Sequence, residues 1–171
     1  MKKDIILKND IFKVEKENFN NSPFYRLLCP DWVNIIPLTE DEKVVFVIQY
    51  RFGIKGNTLE IPGGQMDKED KNPEYAARRE LLEETGFGEG KWEYLGYVHP
   101  NPAILNNRCH SFLVKGVKKI GEIKNDKNEK TEVILRPLKE VNKLILKGKI
   151  THSLVLNAFH LFFLKYKNQI F

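Results

Sequence analysis

Cysteine is nearly absent. The 171 residues contain only Cys29 and Cys109, 80 positions apart and in no CxxC or Cys/His spacing. That excludes a disulfide framework and a cysteine-based zinc site, and both thiols read as small buried hydrophobes. Long apolar runs are missing too. The longest, residues 154–164, is interrupted by Asn157 and His160, short of the roughly 18 residues a membrane-spanning helix needs. The opening MKKDIILKNDIF places Asp4, Lys8 and Asp10 where a secretory leader needs an unbroken apolar stretch, so the expected location is cytoplasmic. No fixed-period repeat and no low-complexity linker divides the chain, and residues 1–171 are expected to form one domain. The formal net charge is +5, but the lysines are spread out. Their densest stretch, residues 117–132, interleaves them with Glu122, Asp126, Glu129 and Glu132, the pattern of a solvated loop. No interleaving of aromatics with arginines marks a single-strand groove, so nucleic acid is not the expected partner.

What is present is a composition of 42% hydrophobic and 30% charged residues, enough for a packed core and too apolar for a disordered chain. Runs with strand character come first, at residues 5–7, 11–14, 24–28, 33–37, 44–51 and 58–61, separated by polar or glycine-containing turns. A helix is expected over residues 73–85, because Asn72 offers an N-cap, Pro73 suits the first helical position and Gly86 suits the position after the last turn. Strands resume at residues 92–98, 111–117 and 132–136, and helices close the chain near 138–146 and 153–165. Without regular βαβ alternation, this order predicts an α+β or mixed α/β sandwich rather than a doubly wound sheet.

The helix at 73–85 carries the chemistry. At 100° per residue, Glu80, Glu83 and Glu84 fall within about 100° of one another, so three carboxylates share one stripe. Leu81 flanks the stripe on one side, with Leu82 and Tyr75 well round the other, which suggests a helix packed on both flanks and an acidic edge facing a cleft. Like charges at four-residue spacing each destabilise a helix by about 0.2 to 0.5 kcal/mol, and acids in its last turns oppose the macrodipole. Local stability therefore argues against this arrangement. Just upstream, a strand runs into Pro62-Gly63-Gly64, where glycines let the backbone approach a ligand. Carboxylates and a backbone carbonyl are hard oxygen ligands, the donor type that Mg²⁺ or Mn²⁺ takes when it bridges protein to substrate phosphates.

Arg79-Glu80-Leu81-Leu82-Glu83-Glu84-Thr85-Gly86-Phe87, with Gly64 upstream, resembles the signature of the Nudix hydrolases: a glycine, five residues, a glutamate, seven residues, then REUxEExGU with U apolar. One position departs from it. Asp70 stands where the first glutamate is expected, and eight residues rather than seven separate it from Arg79, while Glu69 would shift the register further. In that family the first acid braces the arginine, so the resemblance implies that the insertion bears on this brace and leaves the acids expected to bind metal intact.

The resemblance implies a Nudix-type α/β/α sandwich with a mixed central sheet, and Mg²⁺-dependent attack of water on a pyrophosphate linking a nucleoside to another group. It implies that the Gly63 carbonyl, Glu80 and Glu84 ligate metal, that Glu83 shares ligation or polarises water, and that Arg79 orients the glutamates. Residues 47–51 (VIQYR), followed by 59–64 (LEIPGG), resemble the ADP-ribose and nucleoside-diphosphate-sugar pyrophosphatases. That branch implies substrate contacts from Arg51 and Glu60, with Pro102 near the place where the branch has a proline. Residues 128–133 resemble its late acidic loop, which implies a general base at Glu129, with Glu132 the nearby rival. Trp32 is a candidate for stacking on a base, whereas His110, His152 and His160 have no partner at ligand spacing. Strands before residue 30 resemble the extra antiparallel sheet through which this branch forms a homodimer. Removal of pyrophosphate from (d)NTPs or RNA 5′ ends, and a catalytically inactive ligand sensor, are the alternative activities.

Overall fold

The computed structural model describes residues 3–124 and 131–170, the side chains of 167–170 excepted. Strands β1 (Lys3–Lys8), β2 (Lys13–Phe19) and β3 (Ser22–Leu28) form an antiparallel sheet of their own. The expected strand at 11–14 begins later, because the Asn9 side chain accepts hydrogen bonds from the backbone N–H groups of Ile11 and Phe12 and ties residues 9–12 into a turn. Three strands alone bury little. Ile5, Ile6, Leu7, Phe19, Phe24 and Tyr25 all stay about half exposed.

Next come β4 (Trp32–Leu38), β5 (Lys43–Arg51), β6 (Gly56–Glu60), β7 (Gly63–Gln65), α1 (Pro73–Thr85), β8 (Phe87–Gly88), β9 (Lys91–Val98), β10 (Cys109–Lys115), β11 (Lys118–Lys119), β12 (Thr131–Pro137), α2 (Val141–Leu146) and α3 (Ser153–Ile170). The central sheet has seven strands in the order β12-β5-β4-β10-β9, with β6 on β5 and β7 on β4; β4 and β10 run parallel and the other pairs antiparallel. It is the mixed sheet expected from the irregular element order.

Alternation along β4 sorts its side chains into two cores. Val33 and Ile35 pack with Ala76, Ala77 and Leu81 of α1. Ile36 and Leu38 pack with Val141 of α2 and with Val155, Phe159 and Phe162 of α3. The sheet is thus a middle layer between α1 and the two C-terminal helices.

Candidate active site

Helix α1 has the ends its sequence calls for. Asn72 Oδ1 accepts from the Tyr75 N–H at 2.8 Å, and Gly86 closes the helix in the left-handed region at φ 71°. Its sheet-facing stripe of Ala76, Ala77 and Leu81 is fully buried. The other flank is not packed as expected: Leu82 and Tyr75 are 39% and 49% exposed, so one face anchors the helix and the acidic stripe overlaps it, Glu84 being buried there with the alanines.

Strand β7, absent from the strand pattern, sets the floor. It pairs Gly63 and Gly64 with Asn34 and Val33 of β4. A Cβ on Gly63 would lie 2.2 Å from the Val33 carbonyl oxygen, and one on Gly64 would lie 2.4 Å from Glu80 Oε1. Backbone therefore leaves no room for a side chain at position 63, whereas at position 64 a side chain would displace the Glu80 carboxylate. The Gly63 N–H donates to Glu84 Oε2 at 2.9 Å, and Glu84 is 4% exposed. Glu80 is mostly covered, while Glu83 leaves close to half its side chain in solvent.

Arg79 ties the stripe together. Its Nη1 donates to Glu80 at 2.8 Å and Glu83 at 3.1 Å, and its Nη2 donates to Asp70 at 2.9 Å and to the Gln65 carbonyl at 3.1 Å. Asp70 thus reaches the arginine despite the extra residue. The inserted length is taken up in a turn where Asp67 N–H donates to Asp70 Oδ2 and Asp70 N–H to the Asp67 carbonyl. The Arg79 guanidinium holds the Asp70 carboxyl below its usual range. Burial works against the arginine's charge, yet Asp70, Glu80 and Glu83 raise its pKa further above its ordinary value.

Gly63, Arg79, Glu80, Glu83 and Glu84 line one cleft of about 390 Å³, which Trp32 and Ile11 also border. Ile11 brings the N-terminal sheet to its rim. Lys124, which charge patterning placed in a solvated loop, lines it as well. Among the described residues no three carboxylate, imidazole or thiolate groups converge to hold an ion as they stand; Arg79 is the cation Glu80 and Glu83 pair with. The donor set still suits a hard divalent cation: three carboxylates in one cleft, one of them in a cradle that a Cβ would fill.

The other proposed site residues that are described, Arg51, Glu60, Pro102 and Glu132, are not in that lining. Arg51 and Glu60 form a two-point pair, Nε to Oε1 at 2.8 Å and Nη2 to Oε2 at 2.7 Å, with Thr58 Oγ1 also donating to Glu60. Burial pushes the Glu60 carboxyl up, but the bonds from Arg51 and Thr58 outweigh it and leave the pKa lowered. Since Leu59 and Ile61 pack with α3, alternation turns Glu60 to the face that α1 covers. Pro102 is exposed in the β9–β10 connection, where the Leu27 N–H donates to the Ile104 carbonyl at 2.7 Å. Glu129 lies outside the described residues. Glu132 is exposed on β12 and alternates with Val133, which packs in the α1 core, so Glu132 faces away from α1.

The NUDIX domain model matches residues 30–159. The chain belongs to the NUDIX family. It is 30% identical over 149 residues to a methanol dehydrogenase activator of Bacillus methanolicus, covering 86% of this chain and 80% of that protein. It is 31% identical over 117 residues to an ADP-ribose pyrophosphatase of Bacillus subtilis (strain 168), covering 68% of this chain and 63% of that one. A crystal structure of an ADP compounds hydrolase superposes with a TM-score of 0.84 at 21% identity, covering 99% of this chain and 94% of that one. The Nudix sandwich expected from the signature is therefore the fold observed, and the acidic stripe of α1 with its glycine floor lies within the matched residues.

Proposed function

We propose that this Nudix protein hydrolyses the pyrophosphate bond of nucleoside diphosphate sugars, with ADP-ribose the first substrate to try. One observation carries the reading. Glu80, Glu83 and Glu84 share a cleft with Gly63 and Gly64, held by an Arg79 that is itself braced by Asp70. The relatives named ADP-ribose pyrophosphatase direct the choice of substrate.

Mg²⁺, or Mn²⁺ in its place, would be held by Glu80, Glu84 and the Gly63 carbonyl with Glu83 sharing; when bound it neutralises phosphate charge and lowers the pKa of coordinated water. Arg79 keeps Glu80 and Glu83 in one place, so little reorganisation is needed when substrate arrives. Trp32 offers a flat surface for a base at the rim. Arg51, fixed by Glu60, and Pro102 are proposed to contact the substrate's outer groups. A rigidly held guanidinium acts mainly through ground-state binding, so Arg51→Ala should raise KM more than it lowers kcat, as steady-state kinetics will read.

Glu129 is proposed as the base that takes the proton of the attacking water. Loss of a positioned base costs about 10² to 10⁴ in rate. Glu129→Gln should therefore lower kcat about 100-fold or more with metal affinity little changed, while Glu132→Gln, facing away from α1, stays mild. The reverse order would transfer the role to Glu132. The half-exposed apolar residues of β1, β2 and β3 are proposed to be covered by a second copy of the chain, which light scattering would read as twice the 20.0 kDa chain mass.

The substrate assignment is tested by chromatography of products from ADP-ribose, UDP-glucose, GDP-mannose, NADH, dinucleoside polyphosphates and nucleoside triphosphates. Preference for ADP-ribose or another nucleoside diphosphate sugar supports it. Preference for triphosphates overturns it.

A further inference from the structure

The charge balance of the cleft poses a problem that the acidic box does not solve. Among the described residues, Asp67, Glu80, Glu83 and Glu84 line it against two cations, Arg79 and Lys124. Arg79 is consumed, since its guanidinium already meets Asp67, Asp70, Glu80 and Glu83 within 3.4 Å. Among the described residues Lys124 has no carboxylate partner within ion-pair distance. It is also well anchored. Its backbone N–H donates to the Glu83 carbonyl at 2.8 Å, and the N–H groups of Ile120 and Gly121 both donate to the Gly86 carbonyl at 2.8 and 3.0 Å. Residues 120–124 thus cap the C-terminal end of α1, where a cation is favoured by the helix dipole and the last carbonyls need donors.

We propose that Lys124 is a phosphoryl-binding subsite of this cleft: its ammonium receives an ionised oxygen of the substrate's pyrophosphate. The ligand class follows from the group. A lysine whose backbone is anchored at a helix C-terminus offers the cleft a compact point charge with three donors, suited to an anionic oxygen rather than to a sugar hydroxyl. The inference rests on the pyrophosphatase reading and adds to it a residue outside the Nudix signature.

The probe is imidodiphosphate, whose P–N–P bridge resists hydrolysis, titrated calorimetrically into the full chain with Mg²⁺ present. Lys124→Ala should weaken its binding about 10- to 100-fold, as expected for loss of a charge-assisted hydrogen bond. Lys124→Arg should restore binding to within about 3-fold. With a hydrolysed substrate, Lys124→Ala should raise KM by a similar factor and leave kcat little changed. Lys118→Ala removes the same charge from the same stretch, but its partner is Glu40, away from the cleft, and it should bind imidodiphosphate like the parent. Lys124 is exposed, so its variants should unfold at the parent's temperature. Unchanged imidodiphosphate binding by Lys124→Ala overturns the proposal, and so does an equal loss in Lys118→Ala, which would reduce the effect to net charge. If the parent binds imidodiphosphate through Lys124 but hydrolyses none of the pyrophosphate substrates, the function proposed above fails and the subsite stands.

Discussion

Glu84→Gln is expected to lower kcat by at least about 100-fold while leaving the fold intact, and Glu80→Gln to do the same. Each removes a charged oxygen from the set proposed to ligate metal, and with it part of the charge stabilisation at the phosphorus under attack. The fold should tolerate both. A glutamine at position 84 keeps an oxygen to accept the Gly63 N–H, one of the contacts that join α1 to β7. Relief of like-charge repulsion along α1 is worth only about 0.2 to 0.5 kcal/mol. At Glu80 even that gain is offset, because the 2.8 Å pair with Arg79 is lost. Steady-state kinetics with an Mg²⁺ titration reads the effect. Turnover like the parent's in either variant would remove the metal assignment.

The second large effect is on stability. Arg79→Ala leaves the Asp70 carboxylate, only 2% exposed, without the guanidinium that it meets at 2.9 Å. Stranding a buried charge costs about 3 to 5 kcal/mol, and the lower end applies here because Arg79 is itself partly exposed. For a chain of this size that lowers Tm by about 10 °C. Arg79→Lys should fall between, since an ammonium cannot offer parallel donors to Asp70, Glu80 and Glu83 together. The Arg79→Ala, Asp70→Asn pair should be far from additive in urea unfolding, with the double variant recovering about 1 kcal/mol or more of the single variant's loss. Additive losses would mean that the brace carries no energy.

The parts of the molecule that could be read from sequence are those whose causes are local. Helix α1 was legible to the residue because Asn72, Pro73 and Gly86 act within one turn of its ends. Strands β7, β8 and β11 were not, since two or three residues carry no alternation and their pairing is fixed by distant partners: Gly63 on Asn34, Phe87 on Lys119. The acidic box was legible by spacing. Its brace was not, because whether Asp70 reaches Arg79 depends on how the 67–72 turn absorbs one extra residue. Lys124 was hidden for a similar reason. In the chain it is one lysine among alternating charges, and only docking of 120–124 on the end of α1 brings it to the cleft. The strands of β1, β2 and β3 were legible only roughly, and their half-exposed apolar residues follow from nothing among the described residues covering that sheet.

The most direct test of the central claim is product analysis of ADP-ribose incubated with the parent protein, with and without Mg²⁺, in ordinary and in ¹⁸O-enriched water. Hydrolysis at the pyrophosphate predicts AMP and ribose 5-phosphate in equal amounts, one solvent oxygen in one of the two, and no reaction once the metal is chelated. Intact ADP-ribose under these conditions, or products formed equally well without a divalent cation, would contradict it.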